Sequence, residues 1–299
     1  MRQARYFVAV AEELHFGRAA ERLRMSQPPL SQAIKQTERQ LGCELLHRTH
    51  RSVALTAAGT VFLQQCRALI RQAEDAEAAV RHAAVGHGGR IRLGAVASAF
   101  SWPLPRVLEE FHAEVPGVEI RTQEIDTHEA AAGLLDRTLD CAIVRQTAPV
   151  RGTTATTIFV DRFVAALPAD HRAADTFEPF DLGELASDSW VWLHRHISPD
   201  YHDAMGAMCR AAGFSPIPAH WARSVTSQIA MVDCGLGVTV VPAAAAAAAS
   251  PSVCFRPLRH GATTIELSAM TRSDPEPLVG RLTELMTRSV AKIEPSHPV

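Results

Sequence analysis

Apolar residues recur at helical spacing through the first 56 positions. Phe7, Val10, Ala11 and Leu14 form one stripe, which Gly17 is expected to end. Arg18 to Leu23 predicts a second short helix, with Ala19 and Ala20 small enough for another helix to pack closely. Ser26 predicts an N-cap. Pro28 and Pro29 fit the first turn after it, where N–H groups have no intrahelical partner. The third helix so begun turns Leu30, Ile34 and Leu41 inward, with Thr37 between them. Its opposite face carries Pro28, Gln32, Lys35 and Arg39, with Gln27 and Ser31 along the edge. Glu44 to Thr56 alternates in polarity and predicts a two-stranded wing, with His47, Arg48, His50 and Arg51 near its tip.

Thr56 is placed to cap one long helix over 57–85. Phe62, Cys66, Leu69, Ala73, Ala76, Val80 and Ala83 step alternately by four and three residues, a heptad seam. At 1.5 Å per residue the rod is about 43 Å long. Two readings of the seam stay open: packing on its own domain, or pairing with the same helix of a second chain. Gly86-His87-Gly88-Gly89 then ends the helix and permits a hinge. Beyond it, strands are expected at 90–96, 118–124 and 140–145, with helices at 102–115 and 127–137. That order makes a right-handed unit of parallel strands. A second set has strands at 163–167, 190–193 and 238–241 and helices at 200–212 and 227–234. A strand at 264–271 and a helix at 278–292 follow, and Ala243 to Ala249 predicts a further helix. The fold class expected is α/β overall. An all-α winged helix-turn-helix occupies 1–56, a linker helix and hinge 57–89, and a two-lobed body 90–299. Lobe I takes 90–161 and 267–299, and lobe II takes 162–266.

The 299 residues suffice for about two domains. With 47% apolar and 21% charged residues, extended disorder is a poor fit. No apolar run approaches the ~18 residues of a membrane span, and the basic-then-apolar start of a signal peptide is missing. The six cysteines are scattered without a CxxC pair. That speaks against a disulfide scaffold or a four-cysteine zinc site, and for a reducing cytoplasm. The net charge of −2 hides an asymmetry. Residues 1–90 hold 13 basic against 8 acidic side chains, whereas residues 91–299 hold 17 against 24. A basic front on an acidic back points to a nucleic-acid-binding head on a soluble body.

The third helix carries the first candidate chemistry. Gln, Ser and Lys side chains bond base edges or phosphates, and a helix fits the B-DNA major groove. A short helix, a tight turn and a polar-faced helix make a helix-turn-helix, although a solvated face on a three-helix bundle has the same pattern. On the first reading Gln27, Pro28, Ser31, Gln32 and Lys35 enter the major groove. Arg48 and Arg51 then reach the backbone or the flanking minor groove.

The second site follows from the strand order. In open α/β sheets, ligands sit beyond the carboxyl ends of strands. Those points are Ser98, Ala99 and Phe100, then Thr127, then Arg145, and across the cleft Ser198, Pro199, Thr226 and Ser227. Hydroxyls and helix N–H groups suit a carboxylate, and Arg145 suits a bidentate anion contact. Each Ser or Thr also reads as a helix cap, and Arg145 as an ion-pair partner of Asp126 or Asp161. Phe100, Trp102 and Trp192 read as ring walls or as core. His194, His196 and His202 cluster without the carboxylates or cysteines of a metal site. The chain has no P-loop lysine, no third Rossmann glycine, no G-x-S-x-G elbow and no H-E-x-x-H. No catalytic residue, cofactor or metal is assigned. The competing reading is an α/β small-molecule-binding protein or enzyme with an appended helical domain.

Five motifs fall in one order: Arg5-Tyr6-Phe7-Val8-Ala9-Val10-Ala11-Glu12-Glu13-Leu14, Ala19-Ala20-Glu21-Arg22-Leu23, Ser26-Gln27-Pro28-Pro29-Leu30-Ser31, Leu41-Gly42 and Leu55-Thr56-Ala57-Ala58-Gly59. Together they resemble the LysR-type transcriptional regulators. Looser matches at 94–106, 139–145, 213–214 and 235–242 extend the resemblance over essentially the whole chain. Gln32 stands where the family commonly has arginine, and Thr37 where it has a large apolar residue. The resemblance implies a cytoplasmic regulator, not an enzyme, that binds promoter DNA as a homodimer and assembles into a homotetramer. It implies that the linker helix pairs two chains, here through Phe62, Cys66, Leu69, Ala73, Ala76 and Val80. It further implies an effector domain resembling periplasmic binding proteins, with Ser98, Thr127 and Arg145 at common contacts. An organic or aromatic carboxylate is the expected effector, changing DNA bend and access for RNA polymerase. Residues 192–201 are similar to the branch that senses aromatic-ring degradation acids.

Overall fold

The computed structural model describes residues 1–48, 52–84, 88–146, 148–174, 179–248, 252–259 and 263–291. The chain divides into two compact units, the second starting at Gly88. In the first, α1 (Arg2–Glu13), α2 (Phe16–Arg22) and α3 (Gln27–Leu41) bury Phe7, Val10, Ala19, Leu30 and Ile34 in one core. Gly17 does not make the first break. Leu14 takes a left-handed φ of 47°, and His15 caps α2, its Nδ1 accepting from the Gly17 and Arg18 N–H groups at 3.1 and 3.2 Å. A Cβ at position 17 would meet that imidazole at 2.9 Å, so glycine is needed for close approach. Ser26 occupies the N-cap of α3 in extended conformation, but its side chain makes no capping bond. Leu41, expected inward, is 49% exposed. Thr37 is buried, and its hydroxyl donates to the Ala33 carbonyl at 3.1 Å, which satisfies a polar group in the core.

β1 (Leu46–Arg48) and β2 (Val53–Leu55) pair antiparallel as a wing, with Leu46 opposite Leu55. Its tip, including His50 and Arg51, lies outside the described residues. α4 (Ala57–Ala84) has 28 residues and is about 42 Å long. Thr56 caps it: Oγ1 accepts from the Gly59 N–H at 2.9 Å and donates to the Glu44 carbonyl at 2.8 Å. The beginning of α4 belongs to the head. Phe62 packs on Phe7 with ring centroids 4.9 Å apart, and Leu63 and Cys66 are buried. The heptad seam is therefore split. Phe62 and Cys66, expected to face a second chain, face the apolar side of α1 in their own chain. Leu69 and Val80 stay 50% and 71% exposed, with Ala76 exposed and Ala73 half-buried between them.

The second unit opens with β3 (Gly89–Ala95), α5 (Leu104–Glu114), β4 (Val118–Glu124), α6 (Ala130–Leu135) and β5 (Cys141–Val144). β3 lies between β4 and β5 and is parallel to both. β6 (Thr153–Pro168) follows, then β7 (Trp190–Leu193), α7 (Pro199–Ala211), β8 (Pro218–Ala222), α8 (Val225–Asp233) and β9 (Thr239–Pro242). Ala243–Ala248 form a short 3-10 helix, and β10 (Val253–Pro257), β11 (Thr264–Arg272) and α9 (Pro277–Val290) complete the unit.

β6 joins two lobes. Thr153 to Arg162 pair antiparallel with β11, whose other edge pairs with β5, whereas Phe163 to Pro168 pair with β9 and β10. The first half of this strand carries no apolar alternation, because Thr153-Thr154-Ala155-Thr156-Thr157 is polar on both faces. In lobe I, α5 and α9 cover one sheet face, burying Phe111, Leu282 and Met286. α6 covers the other, setting Leu134 against Ala142, Val144 and Met270. β5 alternates accordingly, with Cys141 and Ile143 on the first face and Ala142 and Val144 on the second. Asp140 ties this sheet together by accepting from Arg92 Nε (2.9 Å) and Nη2 (2.8 Å) and from Arg272 Nη2 (3.3 Å). Burial alone would raise its carboxyl pKa, but the two guanidiniums hold it below the ordinary value. Lobe II packs α7 and α8 over Trp190, Met205, Ile229, Val232 and Val240. Among the described residues no helix is long and apolar enough to cross a membrane.

Candidate functional site

In the head, the same contacts that bury Leu30, Ile34 and Thr37 turn the opposite face of α3 outward. Gln27, Pro28, Gln32, Lys35 and Arg39 are exposed and Ser31 is half-buried. Positions 28, 32, 35 and 39 form one stripe because successive steps of four and three return to the same helix face. An open groove of about 710 Å³ runs between this helix and the wing, lined by Lys35, Arg39 and His47 among others. Glu38 builds that groove. Its Oε1 accepts from the Leu45 and Leu46 N–H groups at 3.1 and 3.3 Å, and its Oε2 accepts from Arg48 Nη2 at 2.6 Å. The Arg48 guanidinium also lies 5.0 Å from the centroid of the Phe16 ring. Arg48, expected at the DNA, is thus engaged inside the head, because a largely buried carboxylate at Glu38 demands a cation. Glu38 escaped the sequence reading because an acid on a helix edge resembles any solvated residue. Arg51 lies outside the described residues.

In the second unit a narrow cleft with about 30 Å³ of solvent-accessible room opens at the carboxyl ends of β3, β4, β5, β7 and β8. Lobe I contributes Ser98, Thr127 and Arg145, and lobe II contributes Ser198, Tyr201 and Arg223. Val96, Ile125, Leu193, Ile197 and Val225 form aliphatic walls. Arg145 is buried at 6% exposure, and its Nη2 donates to Ser98 Oγ at 3.1 Å. Burial pulls its pKa down from the ordinary arginine value. Three buried polar atoms of the cleft have no hydrogen-bond partner among the described residues: Arg145 Nε, Thr127 Oγ1 and Ser198 Oγ. Each such group costs about 1–3 kcal/mol, and here both lobes aim them into one space. Beneath them Tyr201 is anchored, its hydroxyl 3.0 Å from Gln228 Oε1 and 2.9 Å from the Val240 carbonyl.

A basic head with an outward polar helix and a two-lobed sheet domain with a polar cleft are two recognisable parts, and sequence profiles match both. Residues 1–60 match the profile of the bacterial regulatory helix-turn-helix protein, lysR family, and residues 84–291 match that of the LysR substrate binding domain. The chain belongs to the LysR family of transcriptional regulators. It is 38% identical over 244 residues to the HTH-type transcriptional regulator YnfL of Escherichia coli K12, covering 81% of this chain and 82% of that one. It is 38% identical over 259 residues to the regulator XapR of the same organism, covering 86% of each. The crystal structure of full-length CbnR complexed with its target DNA superposes with a TM-score of 0.72 at 27% identity, covering 96% of this chain and 99% of CbnR.

As a LysR-type regulator the protein is a DNA-binding transcription factor with an effector-binding domain, and not an enzyme. Four of the residues expected at the effector site line the cleft: Ser98, Thr127, Arg145 and Ser198. Five do not. Ala99 and Phe100 turn into the lobe I core, because residues 97–100 coil as a 3-10 helix. Pro199 sits in the first turn of α7, away from the cleft wall. α8 begins at Val225 with Ser224 as its N-cap, two residues earlier than expected. This rotates Thr226 to the exposed face and commits Ser227 to the capping box with Ser224. Trp102 and Trp192 pack in the cores of lobes I and II, so no aromatic ring from the expected set walls the cleft. Arg145 forms no ion pair with Asp126, which is taken by Arg223, and only electrostatic influence comes from Asp161. Arg223 and Tyr201 were missed. The Ser224-x-x-Ser227 pattern, a cap with its reciprocal partner, marks the helix start that places Arg223 at the strand end. Among the described residues no group of three His, Cys, Asp or Glu side chains is arranged to hold a metal ion.

Proposed function

We propose that this regulator binds a small organic carboxylate between its two lobes and reads promoter DNA as a homodimer through the outer face of α3. The effector reading rests on one observation: three buried, unpartnered polar atoms, one of them in the buried Arg145 guanidinium, converge from both lobes on one cleft. A carboxylate supplies the acceptors that Arg145 Nε, Thr127 and Ser198 lack, and the aliphatic walls take its apolar remainder. The ligand acts by its preference for one lobe arrangement over another, and its differential affinity sets the size of the response. Calorimetric titration of the purified chain with a panel of small carboxylates and their amides tests this. Binding of at least one acid and of none of its amides is expected. Amide binding without acid binding refutes it.

On the DNA side, Gln27, Pro28, Ser31, Gln32 and Lys35 face the major groove in this reading. Lys35→Ala weakens operator binding about tenfold and reduces the slope of affinity against salt by about one counterion. Gel shifts at several salt concentrations measure both, and an unchanged slope removes Lys35 from the phosphate contacts. Two recognition helices per dimer suit half-sites about 34 Å apart, and two dimers joined as a tetramer reach neighbouring sites. The exposed stretch of α4, from Leu69 through Ala73 and Ala76 to Val80, supplies the pairing seam. Leu69→Asp places a charge in that seam and lowers the sedimentation mass by at least one step of assembly. An unaltered mass moves the dimer contact off this helix.

A further inference from the structure

Arg223 follows β8 in lobe II, and its setting gives it a task separate from recognising the effector. Its own N–H donates to Ser227 Oγ at 3.2 Å, and the next residue caps α8, so the base of the side chain is held still. The guanidinium crosses to lobe I, where Nη2 donates to Asp126 Oδ2 at 2.8 Å. Asp126 is equally fixed. Its N–H donates to Glu129 Oε2 at 2.7 Å, and its carboxylate caps the turn at 127–129. The Arg223 side chain is 76% exposed and that of Asp126 19%, so the pair lies at the mouth of the cleft rather than on its floor. Thr127, whose hydroxyl is buried and unpartnered, follows directly inside. A second contact between the lobes follows close by in sequence, the rings of His128 and His196 having centroids 6.2 Å apart.

We propose that Asp126 and Arg223 form a latch across the cleft mouth, which sets how often the lobes part and how long a ligand stays. The proposal rests on the cleft being the effector site, but the latch acts in the ligand-free chain as well. An ion pair this exposed is weak and screened by salt. It therefore biases an equilibrium instead of locking it, and a shift of about fivefold in the open–closed ratio is the expected size. A bias of that size is small enough for a bound acid to override, as a regulatory motion requires.

Hydrogen exchange of the full-length, ligand-free protein tests this without any effector. Arg223→Gln and Asp126→Asn should each speed exchange of the amides at 96–99 and 124–128 by about fivefold, while Arg223→Lys keeps the native rate. In the native chain, raising NaCl from about 50 mM to about 500 mM should speed the same amides, and in Arg223→Gln it should not. Equal exchange in the native and Arg223→Gln chains, or a salt response that persists in Arg223→Gln, overturns the latch. Failure of the carboxylate titration would leave these results untouched, so the two readings fail separately.

Discussion

Arg145→Ala should cost the effector-binding unit its acid ligand and almost none of its stability. Two features of the side chain lead to this result. Its guanidinium is buried, with a single hydrogen bond to Ser98 and an unpartnered Nε, and it forms no ion pair among the described residues. A charge held out of water without a direct counter-ion contributes little to folding, and replacing it by an apolar group is often neutral. The same charge is worth far more to a carboxylate that enters the cleft, since truncating one partner of a buried, hydrogen-bonded charge pair costs about 2–5 kcal/mol. We therefore expect affinity for the acid selected by titration to fall at least about a hundredfold. The melting temperature should stay within about 4 °C of the parent. Arg145→Lys keeps the charge without the planar fork and falls between the two. Calorimetry and a thermal melt on the same preparations give both numbers. Undiminished affinity in Arg145→Ala would transfer the anion contact to Arg223, the other cation lining the cleft.

The second large effect belongs to the head. Gly59→Ala should unfold it or nearly so, with loss of DNA binding and no change in the cleft of the second unit. Gly59 lies in the first turn of α4, where its N–H meets the capping hydroxyl of Thr56. An added Cβ would fall 1.9 Å from the Leu45 carbonyl oxygen and 2.9 Å from its carbon. Both obstacles are backbone, and Leu45 is pinned from the other side by Glu38. Neither can swing away as a side-chain tip would. Overpacking a core costs about 1–3 kcal/mol when side chains can adjust, and a backbone collision exceeds that range in a small domain of marginal stability. The prediction is an early melting transition assigned to residues 1–84 and no gel shift at 37 °C. Titration of the selected acid should remain normal. A variant that binds the operator like its parent would show that α4 slides to make room.

Much of this arrangement was legible from local pattern, and the exceptions have separate causes. The alternation from helix to strand and back placed Ser98, Thr127, Arg145 and Ser198 at strand ends, and the structure brings these four into one cleft. Thr226 and Ser227 failed by a shift of helix phase. A start at Val225 instead of residue 227 turns a candidate contact into an exposed side chain and a cap. Ala99 and Phe100 failed because a 3-10 turn rotates each residue further than an α-helix does. The threonine-rich first half of β6 hid the part of the strand that precedes 163, since β-branched polar residues build a ladder without an apolar stripe to announce it.

The order of head, long helix and two-lobed body was decided by the sequence alone. So were the outward polar face of α3 and the strand-end hydroxyls. Helical and strand periodicities, caps and glycine breaks act over a few residues, so the chain displays them directly. Three other outcomes needed the folded chain. Arg48 turns to Glu38 and Phe16, Phe62 and Cys66 face α1, and Asp126 meets Arg223 from 97 positions away. Each depends on where a distant partner comes to rest. The energy of a buried charge or an apolar contact is set by its surroundings in space, which no short window of residues contains.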